Sequence, residues 1–131
     1  MAYLALVVAR NYCLTMMKLP TREQSGVLIA EVSGRIDHTI AEEFTRALAP
    51  LLSNCALGRA PLLLDFSGVI YISSAGLRVL MMASRQAKAQ QGSFAIAALT
   101  PLVQEVFTIS RFNLIVPCYA NVDAACQALA Q

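Results

Sequence analysis

Apolar and polar positions change their period several times along the chain. From Leu14 to Ile36 two apolar runs flank the polar stretch Pro20-Thr21-Arg22-Glu23-Gln24-Ser25-Gly26, whose turn chemistry predicts a hairpin of antiparallel strands. Past Gly34 the period lengthens. Ile40, Phe44, Ala47, Leu48 and Leu51 recur at helical spacing, and Thr39 with Glu42 three residues on has the form of a capping box. Pro50 falls inside this pattern; it removes a backbone hydrogen bond and predicts a bend or an irregular last turn.

Pro61-Leu62-Leu63-Leu64-Asp65-Phe66 is almost wholly apolar, the signature of a strand buried on both faces in the middle of a sheet. The segment from Ser67 to Gly76 then reads as its connection to a second helix, whose inner face carries Leu77, Leu80, Met81 and Ser84 and which Gly92 ends. Ser93 to Leu99 reads as a further strand. Thr100-Pro101 opens a third helix, with a cap residue before proline at the first helical position. A short strand from Leu114 to Tyr119 and a last helix follow, the helix capped by Asn121 and presenting Val122, Ala125, Cys126 and Leu129 on one face.

Strands alternating with helices after a hairpin define an α/β class: a single mixed, mainly parallel sheet with helices packed against it and an N-terminal hairpin. In such sheets functional groups collect where strands end and helices begin, which directs attention to the Ser73-Ser74 turn.

Composition narrows the function classes. The chain has 131 residues, of which 57% are hydrophobic and 14% charged, and one domain of this size can bury a continuous core unaided. A net charge of +2 with scattered basic residues lacks the footprint of a nucleic-acid binder. The apolar run Met1 to Ala9 is about half a membrane span and lacks the marks of a secretory signal, so a cytoplasmic protein without membrane insertion is expected. Residues 1–13 form an N-terminal extension, readable equally as an extra strand, a dimer arm or a translated upstream segment; residues 14–131 form the domain. Cys13, Cys55, Cys118 and Cys126 are far apart and His38 is the only histidine, so no metal or cofactor is expected and the cysteines read as small buried hydrophobes.

Enzymatic chemistry lacks parts. No G-x-S-x-G or Walker-type glycine loop occurs, and Ser74 has no evident general base. Serines at a helix start cap free N–H groups, and a phosphate there would sit at the positive end of the helix dipole. Asp65 is expected to hydrogen-bond groups around the turn, and Asp37 to cap the first helix, with partner contact second for both. Val79 and Met82 fall opposite the inner face of the second helix, on the side of Arg78, and suit an adaptable protein-binding surface.

The segments Leu62-Leu63-Leu64-Asp65-Phe66-Ser67-Gly68-Val69 and Tyr71-Ile72-Ser73-Ser74-Ala75-Gly76-Leu77-Arg78-Val79-Leu80 resemble the signature of STAS domains, the sulfate transporter and anti-sigma factor antagonist family. Val32-Ser33-Gly34-Arg35-Ile36-Asp37 is similar to the family's strand-to-helix segment, and the order of elements fits from about Leu14 to Leu129. The resemblance implies a non-enzymatic module that sequesters an anti-sigma factor, itself a serine kinase, and is switched off by phosphorylation. Aligned on Gly76 and Leu77, the family's phosphoacceptor falls on Ser74; Ser73 stands where the family carries aspartate, and Ala75 where it carries a second serine. Ser73, Ser74, Gly76, Arg78, Val79, Met82, Asp37 and Asp65 are then the candidate partner-binding residues. A constitutive subunit of a lipid-transport ATPase complex or a stress-signalling scaffold is the alternative within the same fold, and a homodimer is left open.

Overall fold

The computed structural model describes residues 19–130. The expected start of the hairpin at Leu14, and residues 1–13, lie outside that range. The sheet has five strands in the order β1-β2-β3-β4-β5: Thr21–Gln24, Val27–Ile36, Leu62–Ile72, Phe94–Ala97 and Cys118–Tyr119. β1 pairs antiparallel to β2, and the remaining pairs are parallel. Helices α1 (Ala41–Ser53), α2 (Ser74–Ala89), α3 (Pro101–Ile109) and α4 (Val122–Leu129) connect or follow the strands, with a 3-10 turn at Phe112–Leu114.

Two cores result. Phe44, Leu48 and Leu52 of α1, Leu80, Ala83 and Ala87 of α2, and Val103 and Phe107 of α3 are buried together against one sheet face. Phe107 meets Phe66 and Phe112 edge-on, at centroid distances of 6.3 and 5.1 Å. The opposite face carries a smaller core of Val27, Ile29, Leu63, Ala95 and Ala97, closed by Ala125 and Cys126 of α4. Each fully buried large aliphatic or aromatic side chain stabilises such a core by about 1.5–3 kcal/mol. The inner face of α2 is thus Gly76, Leu80, Ala83 and Ala87; of the expected Leu77, Leu80, Met81 and Ser84 only Leu80 is fully buried. Small residues let this helix lie close to the sheet, and the real stripe is rotated toward them.

The hairpin differs from its expected form. β1 is the polar segment Thr21–Gln24 itself, and the turn is only Ser25-Gly26, with φ of 54° and 78°, the paired positive values that a two-residue hairpin loop demands. A solvated edge strand can be polar throughout, which hides it from a hydrophobic reading. Gln24 of β1 also donates to Asp123 of α4 at 2.9 Å.

The capping box does not form. Thr39 donates its backbone N–H and its hydroxyl to Asp37, at 3.0 and 2.6 Å, one residue ahead of the Ile40 cap, and no side chain caps α1. Asp37 therefore fixes the turn before α1 and does not cap the helix itself. Pro50 is accommodated: α1 runs through it to Ser53, and the chain then tightens, Asn54 and Cys55 donating to the carbonyls three residues back. Gly92 ends α2 without supplying the left-handed residue. Gln91 takes φ 60°, while Gly92 donates to the Ala87 carbonyl; a Cβ on Gly92 would lie 2.3 Å from the Cys55 oxygen.

The last strand is shorter than Leu114 to Tyr119, because Phe112–Leu114 coils first. Asn121 caps α4 as expected, accepting the Ala124 N–H at 2.7 Å. Thr100 holds the cap position of α3, but its hydroxyl donates across to the Val69 carbonyl at 2.8 Å.

Candidate functional site

β3 does not stop at Phe66. It continues to Ile72 through two bulges, one spanning Phe66-Ser67 opposite Val32 and one at Ile70, which has no partner between Gly34↔Val69 and Arg35↔Tyr71. The bulges break the alternation of burial, leaving Ile70 59% exposed while Val69 and Ile72 are buried. Asp65, only 9% exposed, accepts the Ser67 N–H at 3.0 Å within the first bulge. Its expected bond to nearby backbone is present, but the place is different: the Ser73-Ser74 turn lies about 20 Å or more further along the strand. Asp65 supports the bend in β3 and not that turn.

Past the bulges β3 carries the chain to the end of β2. Ser73 donates its N–H to the Ile36 carbonyl at 2.9 Å, so the parallel ladder holds the turn at the sheet's carboxyl edge. There α2 begins. Ser73 is its cap, with extended backbone (φ −97°, ψ 175°) and a hydroxyl that accepts the Gly76 N–H at 3.4 Å. Ser74 is the first helical residue and is exposed. Capping thus falls to Ser73 and leaves Ser74 presented to solvent at the positive end of the helix.

Gly76 lies beneath the turn. A Cβ there would come within 2.8 Å of the Ile36 carbonyl oxygen and 2.7 Å of Ile72 Cγ1, so the first turn of α2 sits directly on the ends of β2 and β3 because this residue is glycine. It is buried and acts by packing.

Arg78, one turn after Ser74, and Met82, one turn further, point outward; Met82 is 60% exposed. Val79 is half-buried at the edge of the main core, so of the three expected surface residues it is the one partly drawn inward. Asp37 lies at the end of β2, where Ile36 pairs with Ile72, and its Oδ2 is 3.9 Å from Arg35 Nε. The Thr39 hydroxyl holds the Asp37 carboxyl below its ordinary value against desolvation, with smaller help from the Thr39 N–H, His38 and Arg35.

Two features were not singled out from the sequence. Arg35 stacks over Tyr71, with 4.4 Å from Cζ to the ring centroid, an arrangement made possible when the second bulge brings Tyr71 opposite Arg35. An apolar groove runs between α1 and α2, with Ala49 and Leu52 on one side and Val79, Met82 and Arg85 on the other. The helical spacing of Thr45 and Ala49 beside Leu48 and Leu52 was the available signal, since it extends the buried stripe of Phe44, Leu48 and Leu52 toward the exposed side of the helix.

Cys55 and Cys126 are buried as expected, whereas Cys118 is half-buried; Cys13 lies outside the described residues. Burial pushes the thiols of all three up, that of Cys118 to about 11. Among the described residues no group of three His, Cys, Asp or Glu side chains gathers into a metal-binding set, and no helix is long and apolar enough to cross a membrane.

The profile described as STAS domain matches residues 18–125. Over 112 residues the chain is 37% identical to BtrV of Bordetella bronchiseptica, named as a candidate anti-sigma factor antagonist, covering 86% of this chain and 94% of that protein. The crystal structure of an anti-sigma factor antagonist from Mycobacterium paratuberculosis superposes with a TM-score of 0.77 at 22% identity, covering 87% of this chain and 94% of the other. SpoIIAA of Bacillus in its phosphorylated form superposes at 0.59 and 15% identity, covering 84% and 97%. The two structural likenesses bear on the fold.

Proposed function

The chain belongs to the STAS domain family, and from that premise we propose that it is an anti-sigma factor antagonist, binding its anti-sigma factor through the Ser73-Ser74 turn and the outer face of α2. The observation that carries this reading is the division of labour between the serines. Ser73 is engaged as the helix cap, while Ser74 stands exposed beside Arg78 and Met82. The 37% identity with BtrV over most of both chains supports the same class of partner.

In this proposal Ser74 is the acceptor of a phosphate supplied by the partner kinase. SpoIIAA, of the same fold, has a phosphorylated form. A phosphate would add about −1.5 to −2 charges at the start of α2, where the helix dipole favours them, so the domain keeps its fold. A partner surface shaped to the neutral turn must desolvate or oppose that charge. Losing roughly 3 kcal/mol lowers affinity by about two powers of ten and releases the complex. Ser73, Arg78, Val79 and Met82 make the contact surface and Asp37 borders it; Gly76 seats the turn, and Asp65 shapes the strand that leads to it.

Incubation with the cognate kinase and ATP, followed by mass-spectrometric mapping, tests the proposal. One phosphate on Ser74, retained in Ser73→Ala and absent in Ser74→Ala, is expected. Modification of Ser73 alone contradicts the assignment, and a partner that binds without modifying either serine points to a constitutive subunit.

A further inference from the structure

We infer that the groove between α1 and α2 is a docking site for an acidic amphipathic helix of the partner protein, an inference that rests on the reading of α2 as the partner-facing helix. Its volume is about 430 Å³; the buried Leu48 and Leu52 lie at its base, and Ala49, Val79 and Met82 line its sides. Two neighbouring helices on one sheet face leave the kind of channel into which the ridges of a third helix pack, and a channel of this size takes two or three large apolar side chains spaced by one helical turn.

Charge selects the occupant. Among the described residues, Arg85 is the one ionisable side chain lining the groove. The whole of α2, Ser74 to Ala89, carries Arg78, Arg85 and Lys88 and no carboxylate. Arg78 and Arg85 are seven residues apart, two turns along the exposed side, with Met82 between them. On α1 the carboxylates Glu42 and Glu43 are confined to the first turn, and Glu42 is held by Arg46 at 2.7 Å. An apolar stripe flanked by glutamate or aspartate meets attractive charge along α2, and one flanked by lysine meets repulsion; such complementarity governs which partner docks. Methionine at the lip lets the surface adjust to the side chains it receives.

The test uses the full 131-residue chain and two synthetic helical peptides with leucines at i, i+4 and i+7, one flanked by glutamates and the other by lysines. Affinity is read by fluorescence anisotropy and location by amide chemical shifts. The glutamate peptide is expected to bind at least about tenfold tighter than the lysine peptide, shifting Ala49, Met82 and Arg85. Arg85→Glu should reverse that preference. Ala49 is exposed, so Ala49→Trp should fill the groove and abolish binding of both peptides with the fold retained. Ser74→Asp should leave peptide binding in place, which separates this inference from the phosphorylation reading. Equal affinity for the two peptides, shifts elsewhere, or no binding contradicts the inference; a homodimer dissolved by Ala49→Trp assigns the groove to a second copy and overturns it.

Discussion

The hydroxyl of Ser73 accepts the backbone N–H of Gly76 across the first turn of α2. The two serines are therefore unequal before any partner arrives. Removing a cap of this kind costs about 0.5–2 kcal/mol, and the 3.4 Å distance places this bond toward the lower end. Ser73→Ala should lower stability in urea denaturation by about 0.5–1 kcal/mol, while Ser74→Ala leaves it within about 0.5 kcal/mol of the parent. Equal effects in the two variants would contradict the division of roles.

Gly76→Ala should destabilise the protein more strongly. Its Cβ would press on the Ile36 carbonyl at 2.8 Å, and backbone at the end of a sheet strand cannot swing aside as a flexible side chain would. Overpacking of this kind costs about 1–3 kcal/mol, visible as a lower melting temperature. An unchanged melting temperature would show that α2 can shift off the strand ends.

Much of this arrangement was readable from residue order, and where it was not, the reason is local. Leu62 to Phe66 announced the central strand because both faces are buried, so no alternation was needed. Ser67 to Ile72 looked like a connection because two bulges shift the register by one residue each time, placing Ser67, Gly68 and Ile70 outside while Val69 and Ile72 return to the core. Thr21–Gln24 was absorbed into a turn because an edge strand has no need of apolar residues. The capping box at Thr39 and Glu42 failed because Asp37, two residues upstream, is the better acceptor for the Thr39 donors. The Ser73-Ser74 turn was legible because a helix start after a central strand is marked by residue type. The groove between α1 and α2 was not, since it belongs to the relative placement of two helices and to neither alone.

Asp65 offers a test of the bulge. Its carboxylate satisfies the Ser67 N–H, and Asp65→Ala leaves that donor without its partner in a partly enclosed site, at about 1–3 kcal/mol. Calorimetric or denaturant unfolding should show the loss. Affinity for the partner, measured well below the melting temperature, should change far less than in Met82→Glu.

Asp37 gives stability a pH dependence of known sign. Its carboxyl lies below the ordinary aspartate value in the folded protein, chiefly through the Thr39 hydroxyl, so the charged form favours the native state. That contribution is fully present above the unfolded value and disappears as pH falls through the lower folded value. The stability difference between the parent and Asp37→Asn should therefore be present at pH 7 and close in strongly acid solution. A difference that grows on acidification would reverse the sign and contradict the assignment.

The thiols give an independent check on packing. With Cys55 and Cys126 buried and the Cys118 thiol raised to about 11, all three should alkylate slowly at neutral pH. The rate at Cys118 should climb as pH approaches 11. Peptide mapping after timed treatment with iodoacetamide reads each site separately, and rapid modification of Cys118 at pH 7 would show its surroundings to be more open.

The most direct measurement is the affinity of the purified cognate anti-sigma factor for three forms of this chain: parent, Ser74→Ala and Ser74→Asp, by isothermal titration calorimetry. Tight binding by the parent and by Ser74→Ala, with a loss of about a hundredfold or more in Ser74→Asp and an unchanged circular dichroism spectrum, is the predicted result. Equal affinity of all three forms would contradict the account, because the exposed serine at the start of α2 would then lie outside the surface that binds the partner.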